Sequence, residues 1–385
     1  MRKGIWEEFD GYRDILTEIE ASRLVARKRS FTLDFADQYI HRLHPQQLKL
    51  EVADIIPETR DTRTFRLVPT DTVLPPFLAG QYLALYLDVN GICTSRPYSI
   101  SSPPNQVGYC DITVKRVPHG LVSNFLLDRI RKGDSLTTSG PQGNFYFNPL
   151  VHGDTMICLA GGSGITPFMS MIREIIECSL SRKVILYYGN TSSDDIIFHE
   201  ALSHIAERFD HIRYIPVIET ATDDYEGQCG LITADLIKET AGNMETATFF
   251  LCGPQGMYDF CLPQIDQLGI PRRKIRKERY GPPADISQDP AWPPDIEATH
   301  QYSVSVKGGP QFSAPAAVPL LVSLEKNGVV PPAICRSGEC SMCRVKVLSG
   351  KVFQPANTPV RKSDTRYGYI HACVSYPLTD IEILL

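Results

Sequence analysis

The chain has 385 residues, 43% of them hydrophobic and 22% charged, with a formal net charge of −5. This length predicts two to three domains with ample core-forming content. The acidic balance argues against nucleic acid as a main partner, and the lack of an 18-residue apolar run argues against a membrane span.

The start, Met1-Arg-Lys-Gly-Ile-Trp-Glu-Glu, has no apolar secretory region, and eleven scattered cysteines suit free thiols better than a disulfide framework. A cytoplasmic protein is expected. Residues 1–47 read as a helical extension. In it Trp6, Phe9, Tyr12, Leu16 and Ile19 recur at helical spacing, followed by a second short helical stretch at 33–43. The stripe is expected to pack on the host domain, with a partner or dimer contact as the alternative.

Over residues 48–150 apolar residues alternate in short segments, at 48–55, 62–68, 82–89, 110–115 and 135–139, which predicts an antiparallel β-barrel. Within it, Ser95-Arg-Pro-Tyr-Ser99 offers Arg96 to a phosphate, Tyr98 to a flat ring and Ser99 to a ring nitrogen. The same string is also a good strand with an edge Pro97 and a buried arginine. Further on, Gly120 and Ser123 precede a predicted helix at 124–131, where they make either a phosphate site or an ordinary N-cap at Ser123.

Over residues 151–280, continuous apolar strands at 156–160, 184–188, 214–218 and 248–252 alternate with helical stretches, the signature of a parallel α/β sheet. The first strand runs into Gly161-Gly-Ser-Gly-Ile-Thr-Pro167, whose glycines permit a tight turn and whose proline suits a first helical turn. It is not the dinucleotide fingerprint Gly-x-Gly-x-x-Gly, since Pro167 takes the third glycine's place. Cys252-Gly-Pro-Gln-Gly-Met257 closes the last core strand, and ligands of parallel sheets bind at such carboxyl ends. Cys252 is also open to a plain packing role. Glu278 lies in a basic run, where it reads equally as a site residue or a paired surface charge. Residues 281–300 carry five prolines and read as a semi-rigid linker.

Residues 301–385 contain Cys335, Cys340 and Cys343 in Cys-x4-Cys-x2-Cys order with Cys373 further on, the ligand spacing of a plant-type 2Fe-2S cluster. Ser337, Gly338 and Ser341 are small enough to let backbone N–H groups reach cluster sulfurs. Structural zinc is the competing metal, but it usually pairs two Cys-x2-Cys knuckles and here there is one.

These strings resemble a known family. Arg-x-Tyr-Ser and Gly-x-x-Ser are similar to the flavin-binding motifs of the ferredoxin reductase superfamily, and Ser139-Gly-Pro-Gln-Gly-Asn-Phe145 is similar to its Gly-Pro-x-Gly-x-Phe strand end. The resemblance implies flavin contacts at Arg96, Pro97, Tyr98, Ser99, Val114, Gly120, Val122 and Ser123, with FAD favoured over FMN. In the α/β domain it implies nucleotide contacts at Gly161, Gly162, Gly164, Thr166, Pro167, Asn190, Gly253, Pro254 and Met257. Cys252 and Ser99 would then lie on the hydride path and Glu278 near the flavin. Asp194 and Asp195, after the second strand, would repel a 2′-phosphate, which favours NADH over NADPH.

The last 85 or so residues resemble a plant-type ferredoxin throughout, an α+β β-grasp domain with a strand at 302–306 and a helix at 318–326. The whole order, from 48 to 385, resembles reductase components of oxygenases and of hybrid cluster protein. That implies hydride transfer from NADH to FAD and single electrons leaving through the cluster to a separate protein, an oxygenase, a hybrid cluster protein or a corrinoid protein. A direct reductase of small acceptors and a non-catalytic electron-transfer subunit are the alternatives. Arg336, Glu339 and Met342 are the expected partner-facing residues, and the basic run 272–277 is a further candidate.

Overall fold

The computed structural model describes residues 11–28, 37, 39–40, 43, 45–70, 73–220, 225, 227–355 and 358–385. They form two compact units, one ending at His44 and one from Pro45 to Leu385. The first contains helix α1 (Tyr12–Lys28), on which Ile15, Leu16 and Ile19 are exposed. Trp6, Phe9 and most of the second predicted helical stretch lie outside the described residues.

The second unit holds three main sheets. The first is antiparallel and comprises β1 (Leu48–Thr59), β2 (Thr62–Pro69), β3 (Tyr82–Val89), β4 (Ile92–Ser99), β5 (Cys110–Lys115) and β6 (Ser135–Thr138), in the order β4-β3-β6-β1-β2-β5. An antiparallel bridge between Ile100 and Ile112 joins its two edges, so the sheet curls on itself. Alternating side chains such as Leu48, Leu50 and Val52 fill the interior, and helix α2 (Leu121–Arg129) plugs it with Leu126 and Leu127.

The second sheet is parallel, with β7 (Thr155–Gly161), β8 (Lys183–Asn190), β9 (Ile212–Ile218), β10 (Gln228–Cys229), β11 (Thr248–Cys252) and β12 (Ile275–Glu278) in the order β10-β9-β8-β7-β11-β12. Helices α3 (Thr166–Glu177), α4 (His199–Arg208), α5 (Ala234–Ala241) and α6 (Gln255–Gln267) connect its strands. Met156, Cys158 and Ala160 enter one core, while Ile157 and Leu159 enter the other. Both faces are covered, which is why these strands read as unbroken apolar runs. Each fully buried Leu, Ile or Phe there contributes about 1.5–3 kcal/mol. The strand order reverses between the parallel neighbours β7 and β11, and that switch point opens a crevice at their carboxyl ends.

The third sheet is mixed: β13 (Gln301–Val306), β14 (Gln311–Pro315), β15 (Arg344–Ser349), β17 (Tyr369–His371) and β19 (Ile381–Leu384), in the order β14-β13-β19-β15-β17. Between β15 and β17 the ribbon strand β16 (Val352–Phe353) pairs with β18 (Tyr376–Pro377). Helices α7 (Leu320–Lys326) and α8 (Lys362–Arg366) complete the domain. The proline-rich segment 281–300 forms almost no regular structure but is more than a spacer. Ile286 and Trp292 are buried against Phe353 and Tyr376, with the Trp292 and Phe353 ring centroids 5.1 Å apart, so it straps onto the third sheet's domain.

Candidate functional site

One cavity of about 310 Å³ is lined by all three domains, a size within the range of organic-ligand pockets. Arg96, Pro97, Tyr98 and Ser99 reach it from the end of β4, and Ser123 from α2. Thr166 and Tyr280 come from the parallel-sheet domain, and Arg336 and Cys373 from the third. Val114 and Val122 do not line it: both side chains are buried in the barrel core, because strand and helix periodicity turns them inward. Helix α2 begins earlier than the sequence suggested. Gly120 is its N-cap without a side-chain acceptor, so Ser123 sits inside the first turn, not at the cap, and its Oγ accepts the Val117 N–H at 3.2 Å. The first turn is left to bind an anion through its backbone donors.

Tyr280, which the sequence reading passed over, divides this cavity from the crevice beyond. Its hydroxyl lies 2.9 Å from Ser99 Oγ and 3.0 Å from Thr166 Oγ1. Thr166 already donates to the Ser163 carbonyl at 3.1 Å, so the Tyr280 hydroxyl donates to Thr166 and Ser99 donates to Tyr280. The residue is 37% exposed overall, yet this hydroxyl is sunk into the joint, where burial pushes its pKa up. Tyr280 also contacts the Cys252 thiol beneath it, and Cys252 is fully buried with its pKa raised by desolvation. Cys252 therefore sits under Tyr280 and lines neither cavity. The available signal was its position, an aromatic residue ending the α/β domain just before Gly281-Pro-Pro283.

The switch-point crevice measures about 450 Å³ and is lined by Gly161, Gly162, Asn190, Pro254 and Met257. Gly253 lines an adjoining cavity that also touches Tyr280. Gly162 has φ +50° and open space where a Cβ would stand, so its backbone faces the crevice bare. The Tyr188 hydroxyl pins that turn by donating to the Gly162 carbonyl at 2.9 Å. Asn190 is buried with its Oδ1 lacking a partner among the described residues, an acceptor that a bound ligand could satisfy. Gly164 and Pro167 do not face the crevice. A Cβ on Gly164 would stand 2.1 Å from the Cys252 carbonyl oxygen, and Pro167 is buried in α3, so both serve the packing of the turn. Asp194 and Asp195 also stay outside the lining. Lys115 and Glu219 are the charged residues among those that line it, and Asp195 instead lies 3.9 Å from Lys115 Nζ.

Glu278, at the end of β12, is 6% exposed and is no surface charge. Desolvation, then Glu339 and Cys335, raise its pKa, which disfavours its charged form.

Cys335, Cys343 and Cys373 are buried and Cys340 is partly exposed. Among the described residues no group of three or more His, Cys, Asp or Glu is arranged to hold a single metal ion. The thiols instead make pairwise contacts, Cys335 with Cys340 and Cys373, and Cys343 with Cys373. This suits a binuclear cluster with sulfur ligands spread over two irons. Backbone N–H groups of Ser337 and Cys340 reach Cys335 Sγ at 3.5 and 3.3 Å. Gly338, at φ +86°, brings the loop so close to Val374 and Thr358 that a Cβ there would stand 2.9–3.0 Å from their methyl groups. His371 holds the loop through Nδ1, 2.7 Å from the Gly338 carbonyl oxygen, with Nε2 3.0 Å from Asp364.

Of the three residues expected to face a partner, Arg336 does not. It is 4% exposed and ion-paired with Glu325 at 2.6 Å, and removing one member of such a buried pair costs roughly 3–5 kcal/mol. Met342 is 45% exposed. Glu339 faces Arg279, Arg276 and Lys277.

Comparison with known proteins agrees with this architecture. Family models match in order: an oxidoreductase FAD-binding domain over residues 47–147, an oxidoreductase NAD-binding domain over 157–262 and a 2Fe-2S iron-sulfur cluster binding domain over 306–378. A glycine betaine monooxygenase reductase subunit from Pseudomonas aeruginosa is 29% identical over 341 residues, covering 86% of this chain and 93% of the relative. The ferredoxin reductase component of a 3-ketosteroid-9-alpha-monooxygenase from Rhodococcus rhodochrous is 31% identical, covering 86% and 94%. Among solved structures, phthalate dioxygenase reductase superposes with a TM-score of 0.65 at 24% identity, covering 88% of this chain and 97% of that one, a likeness of fold. FAD, NADH and a 2Fe-2S cluster are thus the cofactors for which its three domains are built. The chain belongs to the ferredoxin-reductase-type oxidoreductases that join an FAD-binding, an NAD-binding and a 2Fe-2S domain in one polypeptide.

Proposed function

We propose that this oxidoreductase is the reductase component of an oxygenase system, taking hydride from NADH and delivering single electrons to a separate oxygenase. The observation that carries this is the shared cavity, whose lining includes Ser99 of the barrel, Thr166 of the parallel-sheet domain and Cys373 of the cluster loop. A flavin held there would have the parallel-sheet domain on one side and the cluster loop on the other. Bound FAD supplies the conversion of a two-electron donor into single electrons, and the cluster carries them outward.

The chain's own residues bind, orient and shield. Arg96 and the uncapped first turn of α2 hold the flavin's phosphate charge, and Tyr98 and Ser99 position its ring. Gly161 and Gly162 let the nucleotide pyrophosphate approach the switch point, with Asn190 Oδ1 free to accept from a hydroxyl of the nucleotide's ribose. Lys115 lines both cavities, a position that supports its serving the phosphates of both ligands. Tyr280 covers Cys252 and would have to move for a nicotinamide to approach that thiol. Glu278 lines a cavity with Glu339 of the cluster loop, where burial raises its pKa. Cys335, Cys340, Cys343 and Cys373 ligate the cluster, and the exposed Met342 marks the side from which a partner approaches.

All eleven cysteines are unpaired, and no described helix is long and apolar enough to cross a membrane, which supports a cytoplasmic setting. The test is steady-state reduction of cytochrome c and of a candidate oxygenase by the purified holoprotein with NADH and NADPH. Turnover with NADH is expected, and absence of turnover in protein that carries both FAD and cluster would refute the proposal.

A further inference from the structure

Thr94 on β4, Glu325 on α7 and Arg336 in the cluster loop meet where the flavin and ferredoxin domains join. The Arg336 guanidinium donates to both carboxylate oxygens of Glu325, at 2.6 and 2.9 Å. Thr94 Oγ1 donates to Glu325 Oε2 at 3.0 Å and accepts from Arg96 at 2.7 Å and from Arg336 at 3.4 Å. One hydroxyl therefore ties two guanidinium groups and one carboxylate together. Glu325, Arg336 and Thr94 are all at most 5% exposed, so water screens them little.

Two cations and one anion leave a single positive charge. Both arginines line the flavin cavity and Glu325 does not, so the surplus faces that cavity. The closeness of the two cations is felt at Arg96, whose pKa is lowered to about 10 by burial and then by Arg336, with Glu325 opposing. A buried surplus charge calls for a counter-anion, and reduction makes a bound flavin richer in negative charge.

We propose that Arg336 is a second flavin-facing cation delivered by the cluster loop, and that Glu325, tied through Thr94, sets the net charge of the flavin cavity and hence the flavin's reduction potential. This rests on the reading that the cavity holds the flavin. Glu325 and Thr94 act through Arg336 and Arg96 and are positioning residues.

The experiment is spectroelectrochemical titration of purified holoprotein, with flavin and iron content measured first. Glu325→Gln leaves two uncompensated cations, and its flavin potential is expected to lie above that of the wild type. Arg336→Gln leaves Arg96 balanced by Glu325, and its potential is expected to lie below. The double variant returns to one positive charge and is expected to titrate close to the wild type. A role confined to holding the domains together would move both single variants in one direction or neither, and either result overturns the proposal. If one single variant does not fold, the sign of the other against the double variant decides in the same way. A wild-type chain that binds no flavin overturns the cavity reading instead, which separates the two failures.

Discussion

Ser99 and Tyr280 share a hydrogen bond of 2.9 Å across the joint between the barrel and the parallel-sheet domain, although 181 residues separate them in sequence. Tyr280 lines both the cavity shared by the three domains and the smaller cavity adjoining the switch-point crevice. Moving Tyr280 out of the joint would break its contacts with Ser99, Thr166 and Cys252 together.

Replacing Tyr280 by Ser removes that cover and its displacement cost. We expect NAD⁺ to bind roughly tenfold more tightly, ~1.4 kcal/mol, in a titration followed by flavin absorbance. An affinity within twofold of wild type would mean that Tyr280 does not gate the crevice.

Cys340→Ser removes the most exposed of the four proposed cluster ligands. Cytochrome c reduction should vanish while NADH-driven flavin reduction, read in a stopped-flow instrument at flavin wavelengths, continues. Equal loss of both steps would contradict the division of labour between domains.

Trp292 fastens the proline-rich segment to Phe353 and Tyr376 and donates its Nε1–H to the Ile296 carbonyl at 3.0 Å. Trp292→Ala should cost the ferredoxin domain about 3–5 kcal/mol. On heating, cluster absorbance should bleach earlier than in the wild type while flavin release stays at its original temperature. Simultaneous loss of both signals at the wild-type temperature would show that the strap carries no stability.

His152 offers a check by pH. Its Nδ1 accepts the Asn148 N–H at 3.0 Å, and burial, with Arg276 second, lowers its pKa. The unfolded chain binds a proton below about 6.5 that the folded chain refuses, so stability should fall as pH drops through that value toward the folded pKa. His152→Gln should lose less thermal stability than the wild type between pH 7.5 and pH 5.5. An identical loss would assign the acid sensitivity to other groups.

Much of the fold was legible because its signals are local. Short segments at 62–68 and 82–89 marked the barrel strands β2 and β3, and unbroken apolar runs marked β7, β8 and β11, whose two covered faces leave no polar side. The edge strand β12 was harder to read, since Arg276 and Lys277 interrupt it. Parts of the site were misread where a residue's type pointed to a ligand and its periodicity pointed to the core. Val114 and Val122 fill the barrel, and Gly164 makes room for the Cys252 carbonyl.

By itself the sequence determined the alternating, α/β and cysteine-bearing segments and their order, because strand period and cysteine spacing are properties of short stretches of chain, while the flavin and nicotinamide followed from the resemblance of its motifs to a known family. Only the tertiary structure decided how those domains communicate. Tyr280 against Ser99, and Thr94 against Glu325 at a separation of 231 residues, exist because packed surfaces bring remote segments within hydrogen-bond reach. The same packing withdrew Arg336 from the surface and turned it toward the flavin cavity. Burial and charge balance arise from what surrounds a side chain in three dimensions, and no local pattern in the chain encodes them.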